Sequence, residues 1–370
     1  MDGQWHGVVG SGTGYANIEI DDCGTFYQGR AHLYDANVRF VIVSAFRTQD
    51  KSPSQSLKVR IEYQPIAVVA PIPQATLEDS YPGVPFPQDA TLGLRVVGKG
   101  LAISVTTNQG TPQARTFKAT LPRSGSSKRS RLPGDKSVKT WPKFKEMVGK
   151  IPIDKYIFRG QPVINRLRSS FHRTNRKELC RYLSVDIPSM HKILSSSTRH
   201  FFNIADETQN AAFWNLLQHH GYPTPLLDWT HSPYVAAYFA FRHKVENPQP
   251  DRKVRIFMFD AEQWKADFEQ LKSVVNVQPH FSLLEAISLE NPRALPQQAL
   301  SAITTVDDVE SYLQKKGIER GRAYLRVFDL PYAERERVLN ELRLMGISAG
   351  ALFPGIDGAC EEMRVRMFAS

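Results

Sequence analysis

Residues 218–241 read QHHGYPTPLLDWTHSPYVAAYFAF, and this order of residue types predicts a helix end, a turn, a short strand and a second helix. Gly221 is expected to close the first helix, because glycine is favoured just past a helix C-terminus. The strand then delivers Asp228, and Ser232 and Pro233 follow as the N-cap and first residue of the second helix. Polar groups at a strand end beside a helix N-terminus are typical of sites that bind anions or small ligands.

A second motif lies upstream, where the apolar run 156–158 leads directly into Arg159, Gly160 and Gln161. An arginine at a strand end presents a planar guanidinium that suits phosphate or carboxylate recognition. The glycine beside it leaves the backbone open to a ligand. The pattern predicts an anion-binding arginine, and a plain surface arginine at a turn is the alternative.

The chain of 370 residues is long enough for two domains, and its patterning changes along its length. Residues 1–121 contain short alternating strands such as 15–20, in which Glu19 lies on the polar face. This predicts an all-β sandwich or barrel that serves as an accessory or docking domain. The turn-rich segment 122–140 is predicted to be a basic linker. Residues 141–370 mix helical periodicity with strand-like runs, which predicts an α+β domain.

Within this second domain, the spacing of apolar residues locates individual elements. Helices are predicted near 163–181, 206–220, 233–244, 306–316 and 333–345. Strands are predicted at 156–158 and 254–259. The helix near 233–244 carries Ala236, Ala237 and Ala240, which form a small-residue face able to lie close to a sheet.

The net charge of +10 is concentrated in residues 113–150, which hold eleven basic and two acidic residues and so carry +9 of it. A basic segment of this kind can neutralise phosphates and bind a nucleic acid by releasing counterions. A solvated linker, kept extended by its lysines and arginines, is the alternative. Both interpretations remain open on composition alone.

Several classes of protein are disfavoured by what the sequence lacks. Cys23, Cys180 and Cys360 are odd in number and far apart, which argues against a disulfide framework or a cysteine-based zinc site. No apolar run approaches the ~20 residues of a membrane-spanning helix, and residues 1–6 do not begin a secretory signal. We therefore expect a cytoplasmic protein with no membrane partner. No glycine-rich phosphate loop, Gly-x-Ser-x-Gly elbow or helical His-x3-His pair is present, so neither a kinase, an esterase nor a metal site is predicted.

Phe158-Arg159-Gly160, together with the motif at 218–233, resembles the FRG domain, a family named for that tripeptide. The resemblance extends over roughly residues 140–360 and includes 352–358, which is similar to the family's closing motif. Pro225 departs from the pattern, because family members usually carry arginine there. Any role for a charge at that position is therefore absent.

The FRG pattern is in turn similar to the ADP-ribosyltransferase fold, in which an Arg-Gly strand grips NAD. The resemblance gives that role to Arg159 and aligns 228–230 with the Ser-Thr-Ser strand of the fold. The third element of the fold is a strand with a catalytic glutamate, and its nearest match has Gln298 in that place. The acids that remain open as a substitute are Asp228, Glu285 and Glu290.

The resemblance implies a site without a metal, built from the two motifs and the third strand. Its catalytic candidates are Arg159, Asp228, His219 and Gln298. Its NAD-binding candidates are Arg159, Gly160, Gln161, Tyr222, Thr224, Trp229, Thr230 and Tyr234. Cleavage of the nicotinamide–ribose bond develops oxocarbenium character that a carboxylate stabilises, while aromatic rings stack on the bases. Two simpler roles stay open, with Asp228 as a helix cap and Trp229 as a core residue.

From this resemblance we expect a mono-ADP-ribosyltransferase that moves ADP-ribose from NAD onto a macromolecule. The basic segment favours nucleic acid, RNA in particular, over protein as the acceptor. Analogy with the fold suggests a toxin in phage defence that is restrained by an antitoxin protein. An NAD glycohydrolase, in which water replaces the acceptor, and a non-catalytic interaction module remain open alternatives.

Overall fold

The computed structural model describes residues 1–368 except 11, 67–69, 126, 273, 275–278 and 286. Its first third is built from the strands β1 (Gly3–Val9), β2 (Gly14–Asp22), β3 (Tyr27–Asp35), β4 (Phe40–Arg47), β5 (Ser54–Arg60), β6 (Glu62–Pro65), β7 (Asp89–Val97), β8 (Gly100–Thr107) and β9 (Arg115–Pro122). They form antiparallel sheets of order β1-β2-β3-β4-β6 and β5-β7-β8-β9, which share one apolar core. The alternating pattern does not predict α1 (Gln74–Ser80), which adds Leu77 to this core.

β2 is covered on both faces, which differs from the expected polar, solvent-facing side. Ile18 and Ile20 point into the core between the two sheets and are buried. Glu19 and Asp21 lie on the opposite face and are only 3% and 0% exposed. They accept hydrogen bonds from residues 176–179 of the second half of the chain. Alternation therefore predicts the strand correctly, but not what covers its outer face.

The second half of the chain has one antiparallel sheet of order β13-β14-β11-β10-β12-β15. Its strands are β10 (Tyr156–Gln161), β11 (Leu226–Thr230), β12 (Lys253–Asp260), β13 (Phe281–Leu284), β14 (Ala299–Thr304) and β15 (Leu325–Pro331). The strand runs expected at 156–158 and 254–259 fall within β10 and β12. Side chains alternate between two cores, with Phe158 on one face and Ile157 on the other.

Helices cover both faces of this sheet. They are α2 (Trp141–Val148), α3 (Leu179–Arg181), α4 (Ile187–Leu194), α5 (Glu207–His219), α6 (Pro233–Phe241), α7 (Ala261–Asp267), α8 (Val309–Arg320), α9 (Arg335–Leu344), α10 (Ala349–Leu352) and α11 (Ile356–Phe368). α2, α6 and α9 pack on the face that bears Phe158, whereas α7 and α8 pack on the other. Each helix in the described ranges is too short or too polar to span a lipid bilayer.

The helix expected over 163–181 is wrong, although the other four predicted helices are present as α5, α6, α8 and α9. Residues 163–178 contain only a 3₁₀ turn, Phe171–Arg173, before α3 begins. The backbone of this segment pairs with a neighbouring segment of the chain instead of with itself. Ser130 N donates to Ile164 O at 3.2 Å, and Arg166 N donates to Lys128 O at 3.0 Å.

The basic segment lies against the second sheet. Leu132 is buried, and its carbonyl accepts from Arg255 Nη2 at 2.9 Å. Asp135 N donates to Val327 O at 2.8 Å, which ties the segment to β15. The described residues of 127–138 therefore follow a fixed path over the protein surface. This differs from a freely extended linker, because apolar and backbone groups of the segment are used in packing.

The N-terminal sheets also satisfy backbone groups at the start of α8. Gln4 Oε1 accepts from Asp307 N at 2.9 Å, and its amide nitrogen donates to Thr305 O at 2.6 Å. Ser124 Oγ accepts from Asp308 N at 3.1 Å. Asp308 is the N-cap of α8 and Asp307 precedes it, so these side chains fix the backbone that leads into the helix.

Candidate functional site

β10 and β11 are neighbours in the sheet, but they separate almost at once. Among the described residues they pair through one bridge, Phe158 with Thr230. By contrast, β10 pairs with β12 and β11 pairs with β14 along their full lengths. The two strands therefore leave a seam, defined here as the space beside Arg159 and Asp228 where β10 and β11 diverge.

Gly160 sets how closely α6 approaches this seam. A Cβ at position 160 would lie 1.8 Å from Ala236 O and 2.8 Å from Ala240 N, so a side chain there would clash with the helix backbone. Ala236, Ala237 and Ala240 are fully buried, as expected for a small-residue face against the sheet. Gly160 is thus required for packing, a role different from the predicted contact with NAD.

Arg159 extends from β10 across the seam to β11. Its Nη1 donates a hydrogen bond to the backbone carbonyl of Asp228. Its Nε is buried and has no partner among the described residues. Burial lowers the pKa of the guanidinium, the Asp228 charge opposes that change, and the nearby charge of Arg173 adds to it. A buried, unused donor on a cation is what a bound anion would satisfy.

Asp228 lies in the middle of β11 and is exposed. Its Oδ1 accepts from Gln218 Nε2, and Gln218 Oε1 in turn accepts from Thr224 Oγ1. Helix α6 is capped by Ser232, whose Oγ accepts from Val235 N at 3.2 Å. The alternative role of Asp228 as the cap of this helix is therefore wrong, because Ser232 performs it. Asp228 is exposed and oriented by Gln218, and no hydrogen bond to its Oδ2 is present within the described ranges.

His219 lies at the end of α5, close enough to Asp228 for their charges to interact. Burial lowers its pKa, and the Asp228 carboxylate opposes that change. Its Nδ1 lies 2.5 Å from Asn291 Nδ2, which also donates to Asn215 Oδ1 at 2.7 Å. Since an amide nitrogen can only donate, His219 Nδ1 accepts and the neutral ring carries its proton on Nε2.

Gln298 immediately precedes β14, the other neighbour of β11. Its side chain is exposed, its φ is +46°, and its carbonyl accepts from His231 N at 3.1 Å. The strand order β14-β11-β10 therefore places Gln298, Asp228 and Arg159 on or next to three consecutive strands. The structure brings Arg159, Asp228 and His219 together, and Gln298 lies at the border of this group.

The three aromatic residues predicted to stack on NAD all contact other rings of the protein, and Tyr222 and Tyr234 are half-buried whereas Trp229 is buried. Trp229 is 2% exposed and lies in the core beside Phe259, so its alternative role as a core residue is the one observed. Tyr222 stacks on Tyr182 with ring centroids 6.3 Å apart. Tyr234 lies edge-on to Trp141, with centroids 6.1 Å apart.

The two threonines predicted to bind NAD are buried and bonded within the protein. Thr230 Oγ1 donates to Gln297 O at 2.7 Å and accepts from Ser232 N, which shapes the turn into α6. Thr224 is fully buried, and its hydroxyl is bonded to Gln218. Gln161, at the end of β10, is half-buried and stays a candidate contact.

Glu285 and Glu290, the alternative catalytic acids, are bonded elsewhere. Glu285 pairs with Lys265 Nζ at 2.5 Å, and Glu290 Oε1 accepts from the backbone nitrogen of His200. Asp228 is the carboxylate whose charge acts on the pKa values of both Arg159 and Arg173. The geometry therefore favours Asp228 among the acids left open by the sequence. Within the described ranges no group of three His, Cys, Asp or Glu side chains is arranged to hold a metal ion.

The sequence analysis missed Arg173, Gln218 and Asn291. Gln218 lies inside the long motif, where its spacing to Asp228 shows no recognisable pattern. Arg173 and Asn291 are far from the motifs in sequence, and Arg173 lies in the segment expected to be helical. Only the tertiary fold brings these side chains to the seam.

Residues 154–249 match the FRG domain family. This confirms the resemblance to that family, and the matched range contains β10, β11, α5 and α6 with Arg159, His219 and Asp228. A search of curated proteins and a search of solved structures each found no match.

Proposed function

We propose that the FRG domain of this chain binds NAD at the seam between β10 and β11 and transfers ADP-ribose to a macromolecular acceptor. One observation carries the proposal: a buried guanidinium nitrogen of Arg159, unpaired among the residues that the structure describes, lies beside the exposed residue Asp228 where two strands diverge. A cation for the diphosphate and an anion for the developing positive charge are the two groups that this reaction needs.

The chemistry follows from these two groups. As the bond between nicotinamide and ribose C1′ breaks, its electron pair leaves with nicotinamide and C1′ gains positive charge. Asp228, held through Oδ1 by Gln218, stabilises that charge and accepts the proton that the attacking acceptor group loses. His219 acts as a hydrogen-bond donor through Nε2, since its Nδ1 is occupied by Asn291.

The acceptor in this proposal is nucleic acid, with RNA preferred over protein, in the cytoplasm. Five basic side chains of the segment support it, because they are exposed and have no ion-pair partner in the described part of the chain. They are Lys128, Arg129, Arg131, Lys136 and Lys139. The further step to a toxin in phage defence, restrained by an antitoxin, rests on analogy with the fold and not on these residues.

The test is incubation of the purified full chain with NAD labelled on the adenylate phosphate, with RNA or protein present. Transfer of label to RNA supports the proposal in full. Transfer of label to protein supports the reaction but shows that the acceptor is protein and not RNA. Free ADP-ribose without transfer identifies a glycohydrolase. NAD that stays intact with every acceptor contradicts the proposed chemistry and favours an interaction module.

A further inference from the structure

Arg173 ends the 3₁₀ turn Phe171–Arg173, which is fastened to the residues that lead into β11. Phe171 N donates to Thr224 O at 3.0 Å. Ser170 Oγ donates to the same carbonyl at 3.1 Å and accepts from Thr224 N at 2.9 Å. Through Gln218, the hydroxyl of Thr224 is connected to Asp228. Arg173 is exposed and forms no ion pair within the described ranges. The fastening of its turn to Thr224 brings it toward the seam, where the Asp228 charge acts on the pKa of Arg173 and the Arg173 charge acts on the pKa of Arg159.

The Lys177 side chain hydrogen-bonds to the backbone on both sides of Arg173. Its ammonium donates to the carbonyls of His172 and Thr174, the two residues that flank Arg173. The Lys177 side chain is buried, and Asp307 lies 3.8 Å from its nitrogen. Because this buried ammonium is bonded to both flanking carbonyls, it restricts the backbone conformation at residue 173.

The residues around Arg173 form the turn 172–177, and Asp21 on β2 binds its C-terminal end. Its Oδ1 accepts from the backbone nitrogens of Lys177 and Glu178, the latter at 3.0 Å. Its Oδ2 accepts from Arg176 Nε at 2.9 Å. The neighbouring Glu19 accepts from Leu179 N at 3.1 Å. An N-terminal strand thus fixes the segment that carries Arg173, although it contributes no side chain to the seam.

We propose that Arg173 is a second anion-binding residue of the seam and that Asp21 is its positioning residue, acting through the turn 172–177. The ligand class is a diphosphate ester, because two guanidinium groups from different segments match an anion with two charged phosphates. The inference rests on the proposed function in taking this diphosphate to be that of NAD.

The experiment is a double-mutant cycle on the full chain, with equilibrium binding of ADP-ribose and of inorganic pyrophosphate as the measurement. Arg173→Ala should weaken binding of both probes about 10-fold or more, which corresponds to the loss of a charge-assisted contact. Asp21→Asn should weaken binding about 3- to 10-fold in the wild-type background. In the Arg173→Ala background, Asp21→Asn should have no further effect on affinity, although it should lower the melting temperature in both backgrounds.

Arg30→Gln is the matched control. It breaks the 3.0 Å ion pair between Arg30 and Glu178 in the same interface, but it leaves the turn 172–177 intact. Affinity should therefore be unchanged in this variant. If Asp21→Asn does not fold, Lys177→Met takes its place in the cycle, because Lys177 is the next link to Arg173.

Three results would overturn the inference: unchanged affinity in Arg173→Ala, equal weakening by Asp21→Asn with and without Arg173, or no binding of either probe by the wild-type chain. Failure of the proposed reaction has a different signature. If pyrophosphate binds in an Arg173-dependent way while NAD stays intact with every acceptor, the anion site stands and the transferase proposal falls.

Discussion

At the scale of single residues, the guanidinium of Arg159 keeps a hydrogen-bond donor that the described protein groups do not use. One nitrogen is bonded to the Asp228 carbonyl, and another is buried with no hydrogen-bond partner in the described part of the chain. A buried donor that lacks a partner costs about 1–3 kcal/mol, so an anion that accepts from it gains most of that amount on binding. The site is therefore partly prepared for an anion before one arrives.

Arg159→Lys should remove most of the NAD-dependent activity. A lysine can keep one hydrogen bond across the seam, but its ammonium cannot make the forked contact with a phosphate. The melting temperature should change little, because a single bond to a carbonyl contributes about 1 kcal/mol. Turnover of labelled NAD by the folded variant is the measurement, and near-normal turnover would remove Arg159 from the site.

Asp228→Asn should lower turnover by about 100-fold or more, since the amide keeps the shape but loses the charge that stabilises the transition state. Ser232 caps α6, so this change should leave the melting temperature almost unchanged. Asp228 Oδ1 accepts from Gln218, and an amide oxygen can still do so. A large fall in melting temperature with normal activity per folded molecule would contradict the catalytic role.

The sequence predicted Arg159 and Asp228 because strand-end polar residues beside glycine or a helix start form a local pattern. The sequence did not show that Trp229 lies in the core or that Tyr222 packs on another ring of the protein. An aromatic residue in a strand faces either a core or a ligand according to what covers that face of the sheet. That cover comes from distant segments, such as Phe281 against Trp229, and no local spacing encodes it.

At the scale of elements, the packing of α6 on β10 depends on the absence of a side chain at residue 160. Gly160→Ala should destabilise the protein by about 1–3 kcal/mol or more, because the new Cβ would overlap Ala236 O and push α6 away. Urea unfolding measures this loss. Gly350→Ala is the matched control, since a Cβ there would meet its nearest atom at 3.5 Å. Equal stabilities of the two variants would show that α6 adapts.

Four helices were predictable because each buries apolar residues, and side chains cap the starts of α5, α6 and α8. The segment 163–181 has the same apolar spacing, yet it runs as an irregular chain. Its apolar Leu167 and Phe171 are buried as expected, but its backbone groups donate to Lys128 and Thr224 and accept from Ser130. The spacing of apolar residues indicates which side chains are buried. It does not indicate the hydrogen-bond partner of each backbone group, which depends on the tertiary structure.

At the scale of the whole molecule, the exposed basic side chains provide a test of the acceptor. Changing Lys128, Arg129, Arg131, Lys136 and Lys139 to Ser should weaken RNA binding for all sequences alike. The slope of log affinity against log salt should become shallower by ~0.7 for each single-strand phosphate contact removed. NAD cleavage without acceptor should be unchanged.

The matched control for this variant is Lys143→Ser with Lys150→Ser, because both lysines are already paired with Glu146. These two changes should alter the salt slope less for each lysine removed. An unchanged slope in the five-site variant, or no measurable RNA binding by the parent chain, would move the acceptor from RNA to protein.

Stability should depend on pH through Glu19, whose pKa burial raises to about 8 from 4.5, with the Glu178 charge adding to the rise. Between these two values the folded chain holds a proton that the unfolded chain has released. The free energy of unfolding therefore falls as pH rises from about 4.5 to about 8. Glu19→Gln, which has no carboxyl group to titrate, should remove this dependence of the free energy of unfolding on pH.

Urea unfolding at pH 5 and pH 8 measures the effect, and Glu262→Gln, at an exposed position, is the control. A wild-type chain that is equally stable at both pH values, or a Glu19→Gln variant that keeps the wild-type slope, would show that Glu19 is ionised in the fold.

The side chains that complete the starts of α3 and α8 come from the other half of the chain, and this limits how the protein can be divided. A fragment excised at residue 141 would lose Gln4, Glu19, Asp21 and Ser124 together, and with them the acceptors for five backbone amides. We therefore expect the matched FRG range, which contains three of these amides, not to fold without the N-terminal sheets. The two halves are expected to melt in a single cooperative transition, with the N-terminal sheets acting as a built-in scaffold for the seam.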